Sequence, residues 1–150
     1  MDTNVLISGA IYGAIFVGIA YAFSRHTRQI LVAGLIAAAL FYVFFAARAH
    51  AGPVWLAAEL AGVAIYGAMA LRGLRGSAWW LAAGWALHPI WDVALHYVGP
   101  GRSFAPETYA TACLTWDPVV AVVIGASLVL RSRRAAATAL GLPAPTARAG

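Results

Sequence analysis

Long apolar stretches alternate with short polar punctuation along almost the whole chain. Reading for runs able to cross about 30 Å of hydrocarbon at about 1.5 Å per residue predicts five helices, over 5–23, 30–48, 54–71, 77–98 and 113–130. The separators at 24–29, 49–53 and 72–76 are tight turns, and the one at 99–111 is longer, so neighbouring helices should run antiparallel. The first run is preceded by Asp2 rather than a basic segment and is as long as a bilayer-spanning helix, which predicts a retained helix instead of a cleaved signal peptide. Beyond Arg131, Arg133 and Arg134 the chain turns rich in Ala and Pro. The expectation is an all-α integral membrane helical bundle, a single domain of five transmembrane helices over 1–134, followed by a disordered cytoplasmic tail over 135–150.

Composition agrees with that pattern. Apolar residues make up 63% of the chain and charged ones 10%, against about 25% charged in an average soluble domain. Together with a mean hydropathy of +0.80, these figures exclude an ordinary water-soluble domain, a disordered chain and a disulfide-rich scaffold. The ten basic residues are all Arg and give a net charge of +5. In a membrane protein such an excess marks topology, so no nucleic-acid partner is expected; the bilayer is, with a lipophilic small molecule or a second copy of the chain as further candidates.

Seven arginines (Arg25, Arg28, Arg72, Arg75, Arg131, Arg133, Arg134) flank one side of the predicted bundle and two (Arg48, Arg102) the other. The positive-inside rule then places the N-terminus outside and the C-terminus in the cytoplasm, consistent with an odd number of spans. Gly9 and Gly13 form a G-x-x-x-G, a spacing that lets helices approach closely and reads here as packing. Cys113, the one cysteine, also reads as packing.

The informative residues are those that do not belong in lipid, where an ionisable group costs about 2.5–3.5 kcal/mol on insertion scales. The fourth predicted helix carries His88, Asp92 and His96 at i, i+4 and i+8, within roughly an 80° arc of one face, and Pro89 removes a backbone donor beside them. Glu59 lies near the start of the third helix and Asp117 near the start of the fifth. By depth these groups share the outer half of the bilayer, while the inner half is almost purely apolar. His50, Arg48 and Glu107 lie in or beside loops and read as solvated.

Three chemistries use such a set. His88, Asp92 and His96 offer N, O and N donors for Zn or Fe; because His88 and His96 are about 12 Å apart along the axis, either His88/Asp92 or Asp92/His96 would be the chelating pair, completed by Glu59 or Asp117. Alternatively Glu59, Asp92, His88 and Asp117 act as catalytic acids and bases on a lipophilic substrate, walled by Tyr42, Phe45, Tyr66, Trp85, Trp91 and Tyr97. A proton or solute path is disfavoured, because ionisable groups are missing from the inner half. A haem held by His50 and His96 is a weaker variant.

The run from Gly84 to His96 resembles an H-x-x-W-D-x-x-x-H helix found in a family of small, uncharacterised bacterial multi-pass membrane proteins, and 97–117 looks similar too. The resemblance covers the last third of the chain and implies that His88, Trp91, Asp92 and His96 act together; it implies no reaction. The resulting expectation is a membrane-embedded enzyme with a His/Asp/Glu pocket in the outer half of the bilayer, metal-dependent or not. The alternative is a small transporter or assembly subunit whose polar network is structural.

Overall fold

A computed structural model describes residues 2–140. It is all-helical: α1 (Thr3–Ala22), α2 (Thr27–Arg48), α3 (Pro53–Arg75), α4 (Trp79–Trp91) and α5 (Glu107–Ala139), with a π-helical continuation of α4 over Asp92–Tyr97 and a 3-10 turn over Pro100–Ser103. Local chemistry sets the boundaries. The Asp2 side chain caps α1 by accepting from the Asn4 amide at 2.8 Å. The reversal between α2 and α3 uses two positive φ angles, 52° at His50 and 93° at Gly52, before Pro53 opens α3 at a position where its missing N–H costs nothing.

Four of the five helices, Thr3–Ala22, Thr27–Arg48, Pro53–Arg75 and Glu107–Ala139, are long and apolar enough to cross a membrane. The expectation of five transmembrane helices is therefore corrected to four within an all-α bundle of five. The stretch 77–98 fails as a fifth α-helical span because regular α geometry stops after 13 residues, about 20 Å at the α-helical rise and short of the hydrocarbon thickness. Pro89 deletes an amide donor there, and the backbone widens into i→i+5 bonding at Asp92. The placement of the N-terminus outside and the C-terminus in the cytoplasm then rests on the arginine distribution alone. From residue 141 on, the expected tail lies outside the described residues.

Packing follows a membrane logic. Large apolar side chains on the outer faces are exposed, among them Ile7, Ile11, Ile15 and Ile19 along one stripe of α1 and Phe41 and Phe44 on α2, which is the surface a bilayer solvates and water does not. The interior is smaller and better filled. Trp85 is 1% exposed at its centre and donates from Nε1 to the Leu31 carbonyl at 3.2 Å, with Leu35, Ala39, Tyr66, Leu81, Val120 and Ile124 around it. α1 lies along α5, α2 along α3, and α4 between α3 and α5.

Gly13 is what lets α1 sit so close: a Cβ there would fall 2.9 Å from the backbone of Trp116. Beside it Thr115 donates to the Leu6 carbonyl at 2.6 Å. The small-residue spacing thus serves packing within the chain. A Gly13→Val variant is expected to lower the thermal midpoint in detergent by several degrees, since overpacking costs about 1–3 kcal/mol, whereas Gly18→Ala, whose Cβ meets no atom within 4 Å, should leave it unchanged.

Candidate metal centre

The polar groups gather at the end of the bundle that holds the α2–α3 reversal and the α4–α5 connection. Tyr42 comes from the last turns of α2, Glu59 from the second turn of α3, His88 from the end of α4, Asp92 and His96 from the π segment, and Cys113 and Asp117 from the early turns of α5. Glu59, His88, Asp92, His96 and Asp117 are each no more than 1% exposed. His88 and Asp117 each precede a proline inside a helix, Pro89 and Pro118, so the backbone is loosened beside both.

Two clusters result. In the first, His88 Nδ1 lies 2.9 Å from Asp117 Oδ2 and 3.3 Å from Asp92 Oδ2, tying α4 to α5. Cys113 completes it: donor atoms of His88, Asp92, Cys113 and Asp117 lie within 4.8 Å of one another, and all four residues are buried. In the second, His96 Nε2 faces Glu59 Oε2 at 3.5 Å. The π segment explains the separation. Its wider turn changes the rotation per residue, so His96 leaves the line that α-helical spacing draws through His88 and Asp92 and points at α3 instead.

Aromatic rings hold both clusters. Tyr42 stacks on His96 with centroids 3.8 Å apart and planes 12° from parallel. Tyr66 meets the His88 ring edge-on at 4.9 Å and donates from its hydroxyl to the Leu87 carbonyl at 3.2 Å. Behind His96 the 3-10 turn presses in at Gly101, where a Cβ would come within 2.6 Å of Nδ1. Trp91 packs its ring against Gly62 and serves packing. A cleft of about 470 Å³ lined by His96, Tyr97, Val98, Arg102 and Glu107 approaches the second cluster from the loops. His50 and Arg48 are exposed near the α2–α3 reversal, outside both clusters, and Glu107 is exposed at the start of α5.

The chain matches, over residues 4–128, the model of a family described as a family of unknown function, DUF6010. The chain belongs to that family. The DUF6010 match takes in every residue of both clusters and extends well beyond the last third in which the resemblance was read. No curated protein and no solved structure matches the chain.

Among the described residues, the buried side-chain polar atoms that have no hydrogen-bond partner are Tyr42 Oη, Glu59 Oε1, His88 Nε2, both Asp92 oxygens, both His96 nitrogens and Asp117 Oδ1. All belong to these two clusters or, for Tyr42, to the ring stacked on His96. An unpaired buried polar group costs about 1–3 kcal/mol, so a concentration of them in one place is what a ligand-binding centre looks like from the protein side. The first cluster fits a metal by this test. Tetrahedral ligands at about 2.0–2.3 Å from an ion are roughly 3.3–3.8 Å apart, so donors within 4.8 Å need to contract by only about 1 Å.

Cys113 is the functional candidate that sequence reasoning missed. The signal was there: Cys113 and Asp117 stand at i and i+4 on α5, just as His88 and Asp92 do on α4. Two such chelate pairs on helices that pack together supply four donors. Tyr42 offers a direct test of the cluster's character. Because its hydroxyl has no partner in the fold, Tyr42→Phe is expected to leave the thermal midpoint in detergent unchanged or slightly raised; a drop of several degrees would show that the hydroxyl is a structural hydrogen-bonding group.

Proposed function

We propose that this protein is a membrane-embedded, metal-dependent enzyme acting on a lipophilic substrate, with His88, Asp92, Cys113 and Asp117 as the metal ligands. The resemblance to bacterial multi-pass proteins makes a bacterial plasma membrane its setting. The observation that carries the reading is the confinement of unpartnered buried polar atoms to the two adjoining clusters. A donor set of one imidazole, one thiol and two carboxylates suits Zn, and Fe as the second choice. When bound, such an ion would polarise a carbonyl or phosphoryl oxygen of the substrate.

The chain's own groups divide the remaining work. His88 Nδ1 sits between Asp92 and Asp117, 3.3 Å and 2.9 Å from their carboxylate oxygens, and so brings the donors of α4 and α5 together. Glu59 and His96, 3.5 Å apart and otherwise unpartnered, are the pair that can take and return a proton. Tyr42 holds the His96 ring in plane by stacking, and the loop-side cleft lies against the same residue. His96, expected from spacing as a ligand, takes the proton-transfer role here.

A second reading has a specific observation behind it. Four protein donors fill a tetrahedral shell, the composition of a structural zinc site, whereas catalytic sites keep a position open. An ion held this way would pin α4 to α5 in a non-enzymatic membrane protein. Catalysis requires one carboxylate to yield its place to substrate.

Elemental analysis of detergent-purified protein is expected to find about one equivalent of metal per chain. Cys113→Ser, His88→Ala and Asp117→Asn should each lower retention by at least about tenfold, the low end even for groups that only support ligands, while His96→Ala keeps the metal. Acidification should release it, because the ligands bind deprotonated. Incubating loaded protein with a total lipid extract and following the lipids by mass spectrometry separates the two readings. Enzymatic function predicts conversion that is lost in Glu59→Gln with metal and thermal midpoint intact; a structural ion predicts no conversion and a large loss of stability on chelation.

A further inference from the structure

α1 packs on α5 and only lightly on α2, so the two first helices part and leave a cavity of about 490 Å³ between them. Its walls are Val5, Ser8, Tyr12 and Phe16 of α1 and Gly34, Ala37, Ala38 and Phe41 of α2; its floor is Ala112, Cys113, Trp116 and Asp117 of α5. Two of the four proposed metal ligands therefore form the end of an almost wholly apolar cavity. Ser8, Tyr12, Ala37 and Phe41 at the walls are exposed, on helices whose outer faces are apolar enough to lie in lipid. The second cluster is approached separately, from the loops, through the cleft at His96, Arg102 and Glu107.

We infer that this lateral cavity is the binding site for a single fatty acyl chain, entered from the bilayer between α1 and α2, with the acyl head group directed at Cys113 and Asp117. This inference rests on the reading of those residues as part of the reactive centre. Size selects one chain: with a methylene taken as about the volume of a water molecule, roughly 30 Å³, a cavity of about 490 Å³ holds about sixteen such groups, enough for one long chain and too few for two. The lining selects its character. Mostly aliphatic and aromatic walls suit an apolar body better than a polar one, while Asp117 Oδ1, buried and without a partner, can accept at the floor from a head group that donates a hydrogen bond, such as a protonated acyl carboxyl. The small residues Ser8, Gly34, Ala37 and Ala38 keep the space open; larger side chains at these positions would fill it.

The test is photolabelling of the purified protein with a palmitic acid analogue carrying a mid-chain diazirine, with unlabelled palmitate as competitor and metal content measured on the same samples. Saturable, competable labelling of wall residues within 5–16 and 34–41 is expected. It should fall about tenfold, equal to about 1.4 kcal/mol of binding, in the double variant Ser8→Phe/Ala37→Phe, whose exposed sites tolerate larger side chains in folding. Labelling that rises linearly with probe and spreads equally over other exposed faces, such as Leu60 and Ile65 of α3, would overturn the inference, as would full labelling of the double variant. Saturable labelling of a protein that holds no metal would leave the acyl site standing and remove the metal; a metal-loaded protein with only linear labelling would do the reverse.

Discussion

Two carboxylates buried against each other inside a helical bundle are the constraint on which the rest of this structure depends. Asp92 and Asp117 both reach the same imidazole nitrogen of His88, and a single imidazolium neutralises only one of them. Removing an ion from water costs several kcal/mol even after relaxation, and in a bilayer the protein has no solvent to spare. A divalent cation held by His88, Asp92, Cys113 and Asp117 would balance both charges at once. The fold supplies what such an ion needs, which is donors from two helices held at nearly the right separation.

The irregular backbone around the cluster serves the same end. A straight α-helix through 77–98 would have presented His88, Asp92 and His96 as one stripe. Pro89 and the π segment interrupt it, and the interruption divides the polar groups between two clusters, His88 and Asp92 toward α5, His96 toward Glu59 on α3. π-helical turns are frequent at functional sites, and a wider turn re-aims a side chain without moving the helix that carries it. Stacking by Tyr42 and the backing of Gly101 then fix the re-aimed ring.

Much of this was legible from residue pattern. Apolar run lengths locate the helices, and the rarity of charge in those runs singles out Glu59, His88, Asp92, His96 and Asp117, all of which prove buried. The fourth helix was misjudged as a full span because hydropathy averages over a break that only backbone geometry reveals. His96 was aligned with His88 for the same reason, since the 100° rotation assumed for it does not survive a π turn. Cys113 was passed over because a lone cysteine carries no pairing signal; its meaning depends on α5 lying against α4, a tertiary fact. The cavity between α1 and α2 was not legible at all, because it arises from a divergence of helices that short loops do not specify.

X-ray absorption at the edge of the bound metal tests the central claim most directly, since it counts ligands by element. The account predicts one sulfur at about 2.3 Å and nitrogen and oxygen neighbours at about 2.0–2.2 Å, with the sulfur shell absent in Cys113→Ser reloaded with the same metal. A wild-type spectrum showing only nitrogen and oxygen, or a sulfur shell that survives the loss of Cys113, would contradict it.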